Sequence, residues 1–135
     1  MALTRHTPRT FSGTEKPYLP VKAGVNIYQG AALGVDATGY ARPVATGDKF
    51  GGFAISRADN TQGSDGALSV QPRGYGAAEL NVTGVVGQAD LGANVYAVDD
   101  ATFTLTQGTN VLVGKVMQHM SGTRVMVRFK AFWEV

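Results

Sequence analysis

Glycine occurs 18 times in this chain, singly or in pairs, and it separates short apolar runs at fairly regular intervals. The runs include VNIY before Gly30, FAI after Gly51 and Gly52, VYAV after Gly92 and VMVRF after Gly122. Segments this short, punctuated by glycine turns, are typical of strands rather than helices. The pattern predicts an all-β domain and leaves open whether it is a β-sandwich or a β-barrel.

The length of 135 residues and the 44% hydrophobic content suit one domain with a real core. The chain has no cysteine, so we expect no disulfide and no thiolate metal site. The first residues lack the apolar region of a signal peptide, and no apolar run approaches the roughly 18 residues of a membrane helix. We therefore expect neither export by a signal peptide nor a membrane partner.

Ten strands are predicted from the apolar runs and the turn residues between them. The clearest is the last, because Val125, Val127 and Phe129 alternate with mostly basic residues, which predicts one buried face. The ten strands are predicted at 25–28, 31–35, 40–44, 50–57, 67–71, 77–82, 94–98, 102–106, 111–117 and 124–131.

Turn residues between these runs predict hairpins and one long loop. The segments 36–39 and 99–102 each begin with Asp, whose carboxylate can bond nearby backbone amides, and Gly39 can take a positive φ. Residues 57–66 contain no large apolar side chain, which predicts a surface loop.

Positive charge is concentrated in the leading segment. Up to Lys22 the chain has four basic residues and one acidic residue, which leaves 8 basic and 9 acidic residues in the rest of the chain. Three prolines at positions 8, 17 and 20 favour an extended backbone there. We interpret residues 1–20 as an extended basic N-terminal arm and residues 21–135 as the β-rich domain. Such an arm is either a solvated terminus or a segment that orders on a partner.

Under the second interpretation, the charged and large apolar side chains of the arm are the candidates for partner contacts. We expect apolar anchors such as Phe11 to contribute more affinity than the cations, because exposed ion pairs are weak and screened by salt. The four cations up to Lys22, with no basic–aromatic cluster in the body, make a weak case for nucleic acid, and we expect no nucleic-acid partner. The contact candidates are Leu3, Arg5, Arg9, Phe11 and Tyr18.

No catalytic, cofactor-binding or metal-binding residue can be nominated. Asp59 and Asp65 do not match the ligand spacing of a calcium-binding loop. Asp99 and Asp100 are adjacent, so their side chains tend to point to opposite sides and cannot easily flank one bond. The two histidines have no recognisable partners at catalytic or metal-ligand spacing. We therefore expect a protein that is not an enzyme.

Several segments together resemble, in order, the capsid decoration or cement proteins of tailed bacteriophages. The resemblance extends from about residue 21 to residue 132. The segments are VKAGVNIYQGAAL at 21–33, GYARP at 39–43, GGFA at 51–54, ADN at 58–60, GA at 66–67, DLGANVYA at 90–97 and VGKV at 113–116.

The resemblance implies a small β-rich domain on the outer surface of the virion's icosahedral head, similar in role to the head decoration proteins of lambda-type phages. It implies assembly in the host cytoplasm, as a homotrimer that ties neighbouring major capsid protein subunits together and uses its N-terminal arm to reach over the shell. It carries over no catalytic residue. The alternative is a phage tail, host-adhesion or carbohydrate-binding β-domain.

Overall fold

The computed structural model describes residues 5–6 and 18–134, which form an almost entirely β structure. A single turn of 3-10 helix at Gln88–Asp90 is the one helical element within these residues. The predicted all-β class is confirmed. The strands are Leu19–Pro20 (β1), Asn26–Ile27 (β2), Ala32–Val35 (β3), Ala41–Pro43 (β4), Lys49–Ala54 (β5), Ala58–Asp59 (β6), Ser69–Val70 (β7), Pro72–Arg73 (β8), Tyr75–Thr83 (β9), Asn94–Ala97 (β10), Phe103–Thr104 (β11), Val111–Ser121 (β12) and Arg124–Lys130 (β13).

Five strands close into a barrel in the order β10-β11-β9-β13-β12. All neighbours in it are antiparallel except β11 and β9, which run parallel at Phe103↔Val82 and Thr104↔Thr83. The choice that the sequence left open is therefore decided in favour of a barrel. Beside the barrel lie a four-stranded sheet in the order β4-β3-β5-β8 and the two-stranded pairs β1-β7 and β2-β6.

Strand β13 lies between β9 and β12 and supplies the centre of the barrel core. Its side chains alternate as predicted, with Val125, Val127 and Phe129 buried and the basic residues exposed. Burying a Val or Phe side chain stabilises the fold by about 1.5–3 kcal/mol each.

Two buried clusters organise the described residues. The first fills the barrel and includes Phe50 from β5, while the second packs Ile27, Leu33 and Val70 with smaller side chains of the remaining sheets. Phe53 of β5 packs edge-to-face on Phe129 at 4.8 Å between ring centroids. Aromatic pairs of this geometry favour a fixed orientation, and this one joins the four-stranded sheet to the barrel.

All ten predicted strands are present, with bounds shifted by up to four residues, and three further strands were not predicted. One of these, β1, falls within residues assigned to the arm and pairs with β7 through Leu19↔Val70. The predicted surface loop at 57–66 is exposed at most positions but begins with β6 and contains a buried anchor. The side-chain Nδ2 of Asn60 donates to the backbone carbonyls of Val21, Lys22 and Ser64.

Both predicted Asp turns are confirmed. Asp36 accepts from the Thr38 and Tyr40 amides at 3.0 and 3.1 Å, and Gly39 has φ 92. Asp99 accepts from the Ala101 and Thr102 amides at 2.9 and 2.8 Å.

Candidate docking groove

A groove of about 670 Å³ lies on the outside of the barrel, where β12 and β13 meet the chain that follows β13. Its position follows from strand alternation. Leu112 lies between buried Val111 and Val113, so its side chain projects from the outer face of β12. Arg128 and Lys130 project from the same face of β13.

The floor of the groove is apolar, although this face of the barrel is open to solvent. Leu112 is 53% exposed, and Tyr75 and Phe132 are each 48% exposed. Phe132 is held in place because its amide donates to the Phe50 carbonyl at 2.8 Å and its ring meets the Trp133 ring edge-on at 5.1 Å. Large apolar side chains grouped on a surface in this way mark binding sites.

Cations surround this floor. Lys115 of β12 is directly opposite Arg128 of β13, and Lys130 is opposite Tyr75 of β9. The Nζ of Lys49 lies 5.7 Å from the ring centroid of Phe132. Four of the 8 basic residues that follow Lys22 thus cluster at this one groove.

None of these four cations has a carboxylate partner within the described chain. The ion pairs there use Lys22 with Asp36, Arg42 with Asp48, Arg57 with Asp59, and Arg124 with Glu79. One carboxylate, Glu134, lines the groove. Like charges directly opposite each other on neighbouring strands are destabilising, so the Lys115–Arg128 arrangement is unfavourable for the free protein.

The carboxylates that a catalytic or calcium site would need serve as turn caps instead. The Thr61 hydroxyl and amide hold the pKa of Asp59 below its usual value. The Ala101 amide does the same for the pKa of Asp99, with a further contribution from Thr102. His119 Nε2 lies 3.1 Å from the Gly122 carbonyl oxygen.

The described residues hold neither a metal cluster nor a membrane-spanning helix. In residues 5–6 and 18–134, no three His, Cys, Asp or Glu side chains converge on a point that could hold a metal ion. No helix in the same part of the chain has the length and hydrophobicity needed to span a bilayer.

The arm candidates are only partly described. Arg5 is exposed, and Tyr18, directly before β1, is 66% exposed. Leu3, Arg9 and Phe11 lie outside the described residues, so their predicted contacts stay predictions.

The groove was missed from sequence, where we expected no basic–aromatic cluster in the body. Its residues are spread from position 49 to position 134 and meet only through strand pairing. No local signal was available, because Leu112 alternates with Gly114 and Val116, and Lys115 falls in the same alternating set as Val111 and Val113.

No protein-family model matches this chain, and no curated protein or solved structure matches it either. The resemblance to capsid decoration proteins is therefore carried by the sequence motifs alone.

Proposed function

We propose that this chain is a capsid decoration protein that binds the outer surface of a tailed-phage head and ties neighbouring major capsid subunits together. The observation that carries a binding role is the groove, where half-exposed apolar side chains are ringed by cations without carboxylate partners among the described residues. The choice of a capsid as partner comes from the ordered motifs between residues 21 and 132.

The mechanism is a clamp that acts through several modest contacts at once. When two binding sites are linked, binding of one raises the effective concentration at which the other meets its partner. A body contact and an arm contact together therefore give a much higher affinity than either contact alone. A homotrimer would supply three bodies and three arms around one point of the shell, and closed symmetry prevents open-ended association. The protein performs no chemistry in this role.

A carbohydrate-binding or host-adhesion domain is the alternative, because Tyr75 and Phe132 are half-exposed aromatics. The groove favours it less. Lys49 lies against the Phe132 ring. The clustered positive charges would not contribute to the binding of a neutral sugar.

The test is co-sedimentation of the purified protein with expanded, undecorated heads of the parent phage, followed by cryo-electron microscopy. We expect saturable binding, with copies grouped in threes on the outer surface. Heads from an unrelated phage are the control for non-specific adsorption. Absence of binding to the parent heads, or density confined to the tail, would overturn the proposal.

A further inference from the structure

The chemistry of the groove points to one kind of occupant. Its floor offers Leu112, Phe132 and Tyr75 to an apolar side chain, and its rim offers Lys115, Arg128 and Lys130 to negative charge. An occupant that brought carboxylates would also relieve the repulsion between Lys115 and Arg128, which are directly opposite each other. The groove should therefore bind a ligand that carries both an apolar side chain and carboxylates.

The chain's own arm is excluded as the occupant by its charge. Residues 1–20 carry three basic residues against one acidic residue, so their net charge has the same sign as that of the rim. A nucleic-acid strand fits less well than a peptide, because Leu112, which lies on the floor with Tyr75 and Phe132, has no ring on which a base could stack. Occupation by nucleic acid is an outcome of the test below.

We propose that this groove binds an extended acidic segment of a partner protein, with an apolar side chain of that segment seated against Leu112 and Phe132. Apolar burial supplies most of the affinity, and the cations select an acidic partner and speed its encounter. Identification of that partner as the major capsid subunit rests on the proposed function, whereas the binding specificity of the groove does not.

The binding test uses the full chain and a fluorescein-labelled synthetic peptide of about nine residues, roughly 30 Å long when extended. The peptide alternates Asp or Glu with Leu or Phe. Control peptides replace the acidic residues by Lys, or the apolar residues by Ser, and an oligothymidylate of similar length is the nucleic-acid probe. By fluorescence anisotropy, the acidic apolar peptide should bind at least about tenfold more tightly than each control.

Two substitutions and two matched controls locate the binding. Lys115→Glu and Leu112→Ser should each weaken peptide binding by about tenfold. Arg57→Glu makes the same charge change away from the groove, and Met117→Ser removes a side chain that is 50% exposed on the same strand. Both controls should bind within about twofold of wild type.

Lys115→Glu also separates a folding defect from a binding defect. It places a carboxylate opposite Arg128, so the unfavourable pair becomes favourable and Tm should rise by about 1–4 °C while binding falls. The double variant Lys115→Glu, Arg128→Glu should bind the Lys-containing peptide better than the wild type does. Unchanged peptide binding by Lys115→Glu, or tighter binding of the oligothymidylate than of the acidic peptide, would overturn the proposal.

The identity of the partner is tested separately. On undecorated parent heads, Lys115→Glu should lower occupancy and Arg57→Glu should not. Normal occupancy by Lys115→Glu would remove the capsid subunit as the partner of the groove. Failure of the wild type to bind heads would overturn the decoration role, and the peptide measurements would still decide the groove.

Discussion

At Gly114, β12 lies too close to the backbone of β13 to carry a side chain. Gly114 is opposite Phe129 in the register of the two strands. A Cβ at this position would run into the carbonyl oxygen of Arg128 and lie 2.8 Å from the carbonyl carbon of the same residue. These are backbone atoms in the middle of the barrel, so they cannot move aside as a flexible side chain would. Glycine is therefore required here for steric reasons. Gly114 is also one of the residues that line the groove.

We predict that Gly114→Ala destabilises the protein by about 2–3 kcal/mol, because the two central strands must separate to admit the methyl group. Thermal unfolding should show Tm lowered by roughly 5–12 °C. Gly51→Ala is the matched control, since its Cβ would meet only side-chain atoms at 3.4 Å. An equal loss in both variants would show that close strand approach is not the cause.

The β3–β4 hairpin is an element held at its turn by one carboxylate. Asp36 accepts from Lys22 Nζ at 2.8 Å and from the Thr38 hydroxyl at 2.7 Å, in addition to the two backbone amides of the turn. The Lys22 bond, followed by the Thr38 hydroxyl and the Tyr40 amide, holds the pKa of Asp36 well below its usual value. The ionised carboxylate therefore ties the arm-proximal residue Lys22 to this hairpin.

A depressed pKa in the folded state makes stability depend on pH in a defined direction. The contribution of Asp36 is present above its unfolded pKa of about 4 and is lost as pH falls through the folded value. We predict that the Tm of the wild type decreases when the pH is lowered past about 4. At neutral pH, Asp36→Asn should have a lower Tm than the wild type. Because the side-chain amide of this variant cannot ionise, the two Tm curves should converge as the pH is lowered. Lys22→Met should show part of the same convergence, and curves that stay parallel would contradict the assignment.

Element by element, the sequence predicts those features that depend on local pattern. The alternation in β13 and the Asp turns at Asp36 and Asp99 involve neighbouring residues only. Strands β1 and β8 were not predicted, because each is two residues long and contains a proline. Proline is disfavoured within strands. The groove could not be predicted, because Leu112 and Lys115 are three residues apart and are both exposed only through the register shift of β12 against β10 that lies between them.

At the scale of the whole molecule, β1 is the first strand of the described residues and it packs with the strands that follow. Leu19 pairs with Val70 and packs on the second buried cluster, beside Ile27 and Leu33. Leu19 and Pro20, which the sequence placed in the arm, therefore belong to the paired strands of the described residues.

We predict that deletion of residues 1–18 leaves Tm nearly unchanged and weakens binding to heads. Deletion of residues 1–20 should lower Tm further by several degrees, because it removes the β1–β7 pairing and the apolar contact of Leu19. Differential scanning calorimetry of the two truncated proteins decides this. A large loss of Tm on deletion of residues 1–18 would show that the arm is part of the body.

The place of β13 between β9 and β12 also determines when the groove can form during synthesis. The ribosome makes β13 after the other four barrel strands, so during synthesis β9 and β12 each lack the neighbour that later joins them. Closure of the barrel requires strand pairings between distant parts of the chain. Such pairings form slowly, and the strand edges stay exposed until they have formed. Arg128, Lys130 and Phe132 also follow β12 in the chain, so a nascent chain that ends at β12 lacks this groove. An incomplete copy therefore cannot bind through this groove.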